Sequence, residues 1–178
     1  MKNVLLGVTG SIAAYKAAEI ASLLVKKDIN VDVIMTKSAQ EFIKPLTFQS
    51  LTKNRVYTDT FEEFTPSEIK HISLAKKIDL CIIAPASANI IGKIANGIAD
   101  DMLSTVVMAI RDKPIYIAPA MNTGMYENPI VQDNIKKLAG YGYKFIEPKE
   151  SLLACGDLGK GALQDVNIIA NILLENLN

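Results

Sequence analysis

One histidine and two cysteines are the side chains of this 178-residue chain best suited to proton transfer or nucleophilic chemistry. Histidine alone has an ordinary pKa near neutrality, so His71 is the first candidate for an acid or base, although a surface or capping role fits it too. Cys155 lies among glycines with Lys160 nearby, where a thiol is either mobile and reactive or incidental. Cys81 lies within an apolar run and is expected to be a small buried hydrophobe.

A glycine-rich turn follows the first apolar run and could hold an anion. In residues 7–11, glycines let the backbone approach a phosphate, and free N–H groups at a helix start favour one. A tight turn capped by Ser11 fits the same residues. The dinucleotide fingerprint needs a third glycine and a later acidic residue, and here Thr36 and Ser38 stand where the acid would be. Hydroxyl groups suit a phosphate better than a ribose diol, so a mononucleotide fits better than NAD.

Two further polar loops, 85–89 and 119–125, open with proline after apolar runs and predict the walls of one pocket. Asn122 can donate two N–H bonds and so hold a carboxylate without carrying charge. Helix or turn capping is the competing interpretation for both Asn89 and Asn122.

Alternating strands and helices must position these residues. Apolar runs predict strands at 3–8, 31–35, 80–84, 115–118 and 144–146. Helical periodicity predicts helices at 12–27, from 36 to before Pro45, and at 89–95, 100–111, 130–139 and 165–177. Residues 56–70 and 148–163 are predicted as surface loops. The pattern predicts a three-layer α/β domain with a mostly parallel sheet, which binds ligands beyond the carboxyl ends of its strands.

The composition excludes several function classes. Nineteen Lys and Arg balance 19 Asp and Glu, so neither nucleic acid nor an anionic membrane is expected as a partner. The apolar run at 4–8 is too short for a secretion signal or for the ~20 residues that span a bilayer. We expect a single cytoplasmic domain, 1–178, with reduced thiols. Two cysteines far apart in sequence indicate neither a disulfide framework nor a metal site.

Six segments, taken in order, resemble the flavin-dependent cysteine decarboxylases over essentially the whole chain. They are GVTGSIAAYK at 7–16, HISL at 71–74, PASANIIGK at 85–93, GIADDMLST at 97–105, PAMNTGM at 119–125 and ACG at 154–156. The resemblance implies a Rossmann-like or flavodoxin-like fold and FMN as the cofactor. It implies a homotrimer or a multiple of trimers, in which the stripe formed by Met102, Leu103, Val106, Val107 and Ile110 either makes a subunit contact or is buried within its own chain.

The resemblance also assigns roles to single residues. The phosphate of FMN would be held by Gly10, Ser11, Thr36 and Ser38, and its ring would be lined by Ser87, Ala88, Asn89, Ser104 and Thr105. His71 would be the active-site base, Asn122 with Met121 would bind the substrate carboxylate, and Cys155 would supply a proton late in the reaction. The family commonly has an arginine after the last glycine of its cysteine loop. Ala162 stands there in this chain, which leaves Lys160 as a candidate replacement.

The implied reaction removes CO2 from 4′-phosphopantothenoylcysteine and gives 4′-phosphopantetheine for coenzyme A biosynthesis. Transient oxidation of the cysteine thiol to a thioaldehyde would let CO2 leave, and re-reduction would follow. Many bacterial relatives carry a second domain that joins cysteine to phosphopantothenate; we expect none here, so that a separate synthetase supplies the substrate. Two alternatives remain open: a peptidyl-cysteine oxidative decarboxylase, and a non-catalytic flavin-binding regulatory protein.

Overall fold

A computed structural model describes residues 1–61, 69–152 and 158–177. Six strands form one parallel sheet: β1 (Asn3–Val8), β2 (Asn30–Met35), β3 (Val56–Tyr57), β4 (Leu80–Ala86), β5 (Ile115–Pro119) and β6 (Lys144–Phe145). Their order across the sheet is β3-β2-β1-β4-β5-β6, which is the Rossmann order. Every residue of β4 is buried, as expected for a continuous apolar run covered on both faces.

Helices cover both faces of this sheet. They are α1 (Ala14–Val25), α2 (Pro45–Thr52), α3 (Lys70–Lys77), α4 (Ala88–Ala95), α5 (Met102–Ala109), α6 (Thr123–Tyr126), α7 (Pro129–Gly140) and α8 (Val166–Glu175). Helices α1, α2 and α8 pack in one layer, while α3, α5, α4 and α7 pack in the other. The predicted three-layer α/β architecture with a parallel sheet is therefore confirmed.

Three predicted segments differ from the structure. The loop predicted at 56–70 begins with the short strand β3 (Val56–Tyr57), which pairs with β2 in the parallel sheet. The helix predicted to end before Pro45 is a 3-10 helix, Lys37–Glu41, and Pro45 instead begins α2. A proline fits the first turn of a helix because its missing N–H would have no partner there. The predicted loop at 148–163 contains an antiparallel pair, β7 (Lys149–Leu152) and β8 (Leu158–Ala162); the two glycines of β8, Gly159 and Gly161, had suggested a loop.

The apolar stripe on α5 belongs to the core of its own chain. Met102, Leu103, Val106 and Val107 are all buried there. Leu103 packs so closely on β1 that a Cβ at Gly7 would lie 2.6 Å from the Leu103 Cδ1. Burial within the chain therefore accounts for the stripe, and a subunit contact is not needed to explain it. Among the described residues, no helix is long and apolar enough to cross a bilayer.

Candidate functional site

A cavity of about 510 Å³ opens where the strand order reverses, between β1 and β4. In open α/β sheets this crevice at the carboxyl ends of the strands is where ligands bind. Three predicted segments meet there: the cavity is lined by Gly10 and Ser11 after β1, Ser87 and Ala88 after β4, and Met121 and Asn122 after β5. The sequence prediction that these loops form walls of one pocket is confirmed.

The loop after β1 lies directly against the loop after β2. A Cβ at Gly10 would come within 2.5 Å of the Ser38 Cβ, so only glycine fits this crossing without displacement. The Thr36 N–H donates to the Val8 carbonyl over 3.0 Å, and the Thr36 Oγ1 accepts from the Ala39 N–H over 3.3 Å. Thr36 and Ser38 thus stand beside Gly10, but neither is on the cavity wall itself.

The loop after β4 is tied to β1 by a buried hydroxyl that the sequence analysis missed. The Thr9 Oγ1 donates to the Pro85 carbonyl over 2.7 Å and accepts from the Ser87 N–H over 2.9 Å. The Ser87 Oγ in turn accepts from the Ile90 N–H and caps α4. Asn89 is exposed on α4 and does not line the cavity.

Asn122 has both roles that its sequence context left open. Its Oδ1 accepts from the Gly124 N–H over 2.8 Å and caps the short helix α6, and its side chain also lines the cavity. Because the amide oxygen serves the cap, the amide nitrogen is the part of the group suited to meeting an anion.

Strand β8 packs tightly on this same loop. A Cβ at Gly159 would lie 2.5 Å from the Thr123 Oγ1, and one at Gly161 would overlap the Met121 carbonyl oxygen. The Met121 N–H donates to the Gly161 carbonyl over 2.9 Å. Glycine at both positions therefore lets the β7–β8 pair form one wall of the cavity, which Gly161 and Ala162 line.

Lys160 forms an ion pair outside the cavity wall. Its Nζ lies 2.6 Å from the Glu147 Oε2, to which the Tyr126 hydroxyl also donates over 3.2 Å. The hydrogen bond from Lys160 lowers the pKa of Glu147. The structure therefore pairs Lys160 with Glu147, and Lys160 does not line the cavity in place of the missing arginine.

Ser104 and Thr105 lie at the start of α5, away from the cavity wall. Ser104 is fully buried in a capping box: its N–H donates to the Asp101 Oδ1 over 2.8 Å, and its Oγ accepts from the Asp101 N–H over 3.2 Å. The Thr105 Oγ1 donates to the Ala99 carbonyl over 3.3 Å. Lys93 on α4 stabilises the segment that leads into α5 through ion pairs of 2.6 and 2.8 Å with Asp100 and Asp101.

Of the remaining catalytic candidates, the structure describes His71 and Cys81, and neither lines the cavity. His71 is the second residue of α3 and half-buried, but it is not among the residues that line the cavity. Cys155 lies outside the described residues. Cys81 is completely buried, and burial raises the pKa of its thiol to about 12. Cys81 is thus the inert core residue that its sequence context predicted.

An apolar rim of exposed side chains around the cavity was also missed. Ile12, Tyr15, Phe42 and Met125 line the cavity although about half or more of each side chain is exposed, Ile12 being 61% exposed. Lys16, in the first turn of α1, lines the same wall. Exposed Tyr15 in the first turn of α1 was the available signal, because a helix that only covers a sheet carries polar residues on its outward face. In the part of the chain that the structure describes, no cluster of His, Cys, Asp and Glu could hold a metal.

The chain is similar to known proteins over its full length. It is 51% identical over 177 residues to a probable phosphopantothenoylcysteine decarboxylase of Streptococcus mutans, covering 99% of both chains. It is 55% identical over 171 residues to the coenzyme A biosynthesis bifunctional protein CoaBC of Bacillus subtilis. That alignment covers 96% of this chain but only 42% of the relative, so the chain spans less than half of the bifunctional protein.

Solved structures have the same fold. A phosphopantothenoylcysteine decarboxylase mutant, in which serine replaces a cysteine, complexed with pantothenoylaminoethenethiol matches with a TM-score of 0.88 and 31% identity. That match covers 98% of this chain and 97% of the other. The FMN-binding protein AtHal3 matches with a TM-score of 0.88 and 33% identity, covering 98% and 95%. The family model described as flavoprotein matches residues 1–178, and the chain therefore belongs to the flavoprotein family.

Proposed function

We propose that residues 1–178 act as one FMN-binding domain that decarboxylates 4′-phosphopantothenoylcysteine to 4′-phosphopantetheine. The observation that carries this proposal is the cavity at the strand reversal, where the glycine turn after β1, the serine loop after β4 and the asparagine loop after β5 converge. The near-complete alignment with the Streptococcus mutans relative supports the same substrate. The reaction belongs to coenzyme A biosynthesis.

The residues present fit FMN. Gly10 leaves no room for a side chain against the loop after β2, which is the backbone cradle that a phosphate needs. Ser11 and the first turn of α1 offer a hydroxyl and N–H groups to that phosphate, with Thr36 and Ser38 adjacent. Ser87 and Ala88 would lie along the ring. We propose the same contact for Asn89 and Thr105, which lie off the cavity wall of one chain and would need a neighbouring copy. Ser104, which was predicted with them, is fully buried within its own chain, so its part is to fix the start of α5 and not to contact the ring.

The chemistry needs an electron sink because a cysteine carboxylate otherwise leaves a carbanion when CO2 departs. When bound, FMN would supply a reversible two-electron acceptor. With it the thiol-bearing carbon could be oxidised to a thioaldehyde, so that CO2 could leave with its electrons delocalised onto sulfur before the carbon is reduced again. The Asn122 amide, with Met121 beside it, would bind the carboxylate through a neutral donor. A full positive charge would stabilise the ground-state carboxylate more than the dispersed transition state.

Cys155 is proposed as the proton donor of the last step. The chain has two cysteines, and Cys81 is buried with its pKa raised to about 12, which leaves Cys155 as the reactive thiol. The aminoethenethiol bound by the cysteine-to-serine mutant of the solved relative is, by its chemical name, a compound without the carboxylate that retains a double bond. A substrate that stops at this stage is what loss of the final proton donor would leave.

We propose a homotrimer or a multiple of trimers in which His71 serves the cavity of a neighbouring copy as the base. Two observations support this arrangement. His71 lies off the cavity of its own chain, and the rim formed by Ile12, Tyr15, Phe42 and Met125 exposes apolar surface that a second copy would cover. We place the protein in the cytoplasm and propose that a separate synthetase joins cysteine to phosphopantothenate.

The test is mass spectrometry of 4′-phosphopantothenoylcysteine incubated anaerobically with the purified protein and FMN. Loss of one CO2 and appearance of 4′-phosphopantetheine are expected. A product lighter by two hydrogens, the enethiol, would identify an oxidative decarboxylase instead. Unchanged substrate beside a protein that binds FMN would favour a regulatory protein and would refute the proposed function.

A further inference from the structure

We infer that Thr9 is a positioning residue for FMN: its hydroxyl holds the loops after β1 and β4 at the spacing that the cofactor requires. This inference rests on the FMN binding in the proposed function, and it concerns a residue that does not line the cavity. Gly10 and Ser11 on one side of Thr9, and Ser87 and Ala88 on the other loop, do line it.

Thr9 is 1% exposed and makes three hydrogen bonds to the end of β4 and to the loop that follows it. Its Oγ1 donates to the Pro85 carbonyl over 2.7 Å and accepts from the Ser87 N–H over 2.9 Å. Its own N–H donates to the same Pro85 carbonyl over 3.3 Å. The hydroxyl therefore both donates and accepts across the gap between the two loops.

These bonds begin where the regular sheet ends. The pairing of β1 with β4 stops at Gly7 and Ile83, and the pairing of β4 with β5 becomes irregular between Ile83 and Ala86. Beyond that point the strands part to form the crevice, and proline at 85 has no N–H to offer a ladder. A side chain thus replaces the missing ladder bonds at the mouth of the cavity.

Through the hydrogen bond from the Ser87 N–H, Thr9 also constrains the position of helix α4. Because Ser87 caps α4 through the Ile90 N–H, fixing the Ser87 backbone also fixes the start of that helix. Valine at position 9 would keep the shape but leave the Pro85 carbonyl and the Ser87 N–H buried with one partner fewer. The loops after β1 and β4 would move so that the Pro85 carbonyl and the Ser87 N–H find other hydrogen-bond partners, and the distance between the two loops would change.

Thr52 provides a matched control for a hydroxyl that is only structural. It is 8% exposed, its Oγ1 donates to the Phe48 carbonyl over 2.9 Å and accepts from the Asn54 N–H over 3.2 Å. Its bonding pattern equals that of Thr9, yet it lies on α2 and does not line the cavity. Comparison of the two separates loss of stability from loss of positioning.

The experiment measures the dissociation constant of FMN, by quenching of flavin fluorescence, and the melting temperature of the apoprotein for Thr9→Val, Thr9→Ser and Thr52→Val. We expect Thr9→Val to weaken FMN binding about tenfold, because two buried groups each lose a partner. Thr9→Ser, which keeps the hydroxyl, should stay within about threefold of the unaltered protein, and Thr52→Val should melt earlier with an unchanged dissociation constant.

An unchanged FMN dissociation constant in Thr9→Val would overturn the inference, and so would an equal loss of FMN affinity in Thr52→Val. In either case, FMN binding by the unaltered protein would leave the proposed function standing. If the unaltered protein does not bind FMN, both fall. Should Thr9→Val not fold, Thr9→Ala takes its place with the same expected weakening, because it also lacks the hydroxyl.

Discussion

Met121 and Gly161 meet backbone to backbone, with the Met121 N–H donating to the Gly161 carbonyl over 2.9 Å. A Cβ at position 161 would overlap the Met121 carbonyl oxygen, which is backbone and cannot rotate aside. The loop that carries Asn122 and the strand β8 are therefore held at a spacing that only glycine allows.

Gly161→Ala should separate β8 from the Asn122 loop and lower kcat/KM for decarboxylation about tenfold or more, because misplacement by about 1 Å disturbs a bound carboxylate. Steady-state kinetics on 4′-phosphopantothenoylcysteine measures this. Gly140→Ala is the matched control, since a Cβ on that α7 residue meets nothing within 4 Å. Equal kinetics for the Gly161→Ala variant and the unaltered protein would contradict the assigned spacing.

Gly10→Ala should weaken FMN binding at least about tenfold, because an overpacked contact of this kind costs about 1–3 kcal/mol. The added Cβ would lie 2.5 Å from the Ser38 Cβ, so the loops after β1 and β2 must move apart. Adding Ser38→Gly removes part of the clash and should restore part of the affinity. Gly92→Ala, whose Cβ meets only the Asn134 Nδ2 at 3.8 Å, should bind FMN normally in the same fluorescence titration. Unaltered affinity in Gly10→Ala would remove the argument for a glycine cradle.

The sequence predicted the parts of this site that are carried by strand ends. The loops containing Gly10, Ser87 and Asn122 follow continuous apolar runs, and parallel strands must bring such loops to one edge of the sheet. Helix α2 and the β7–β8 pair were not predicted, because Pro45 was interpreted as a stop and the glycines of β8 as a loop.

Sequence patterns could not predict the position of residues that are placed by tertiary packing. The Thr9 hydroxyl bridges loops separated by 76 positions in the chain, and no local pattern specifies that contact. His71 was predicted as a base from its residue type and from the family resemblance, and neither says which cavity the side chain faces. The apolar rim residues Ile12 and Phe42 were recognised only once the cavity was located.

His71→Asn should retain FMN but release no CO2, because asparagine cannot move a proton near neutral pH. Asn122→Ala should fail for a different reason, loss of the carboxylate donor. If His71 acts on a neighbouring copy, mixed assemblies of the two variants contain sites with both functional residues. We expect co-expressed, differently tagged variants to recover activity that neither variant has alone. An inactive mixed assembly of confirmed composition would exclude the proposed sharing of sites.

Cys155→Ser should decarboxylate the substrate but accumulate the enethiol, because the final proton donor is lost. Mass spectrometry separates this product from 4′-phosphopantetheine by two hydrogens. Cys81→Ser is the contrasting variant, since a hydroxyl in that fully buried strand should lower stability without changing which product forms. Formation of 4′-phosphopantetheine at the ordinary rate by Cys155→Ser would refute the role.

Lys16→Met should raise KM for the phosphorylated substrate about tenfold, as expected for loss of a charge-assisted contact. Lys16 is the one positively charged side chain among the described residues that line the cavity. Its contribution should also be visible as salt dependence: added salt should raise KM in the unaltered protein and have less effect in the variant. Lys27→Met, on the exposed end that follows α1, is the control. The same KM and salt response in Lys16→Met would place the anion elsewhere.

Glu147→Gln should destabilise the protein at neutral pH but not in acid. The hydrogen bond from Lys160 lowers the pKa of Glu147 in the folded chain. A carboxyl with a lowered folded-state pKa contributes stability above its ordinary, unfolded pKa, and that contribution is lost as pH falls through the folded value.

The size of this effect is small. The side chains of Lys160 and Glu147 are 41% and 63% exposed, so solvent screening limits the contribution of the ion pair to the free energy of unfolding to no more than about 1 kcal/mol. Thermal melts of both proteins should therefore differ at pH near 7 and converge only below the lowered pKa that Glu147 has in the folded chain. Glu19→Gln, a carboxyl-to-amide change at an exposed position on α1, is the matched control. A Glu147→Gln deficit that persists unchanged in acid would mean that packing, and not the charge, joins β8 to α6.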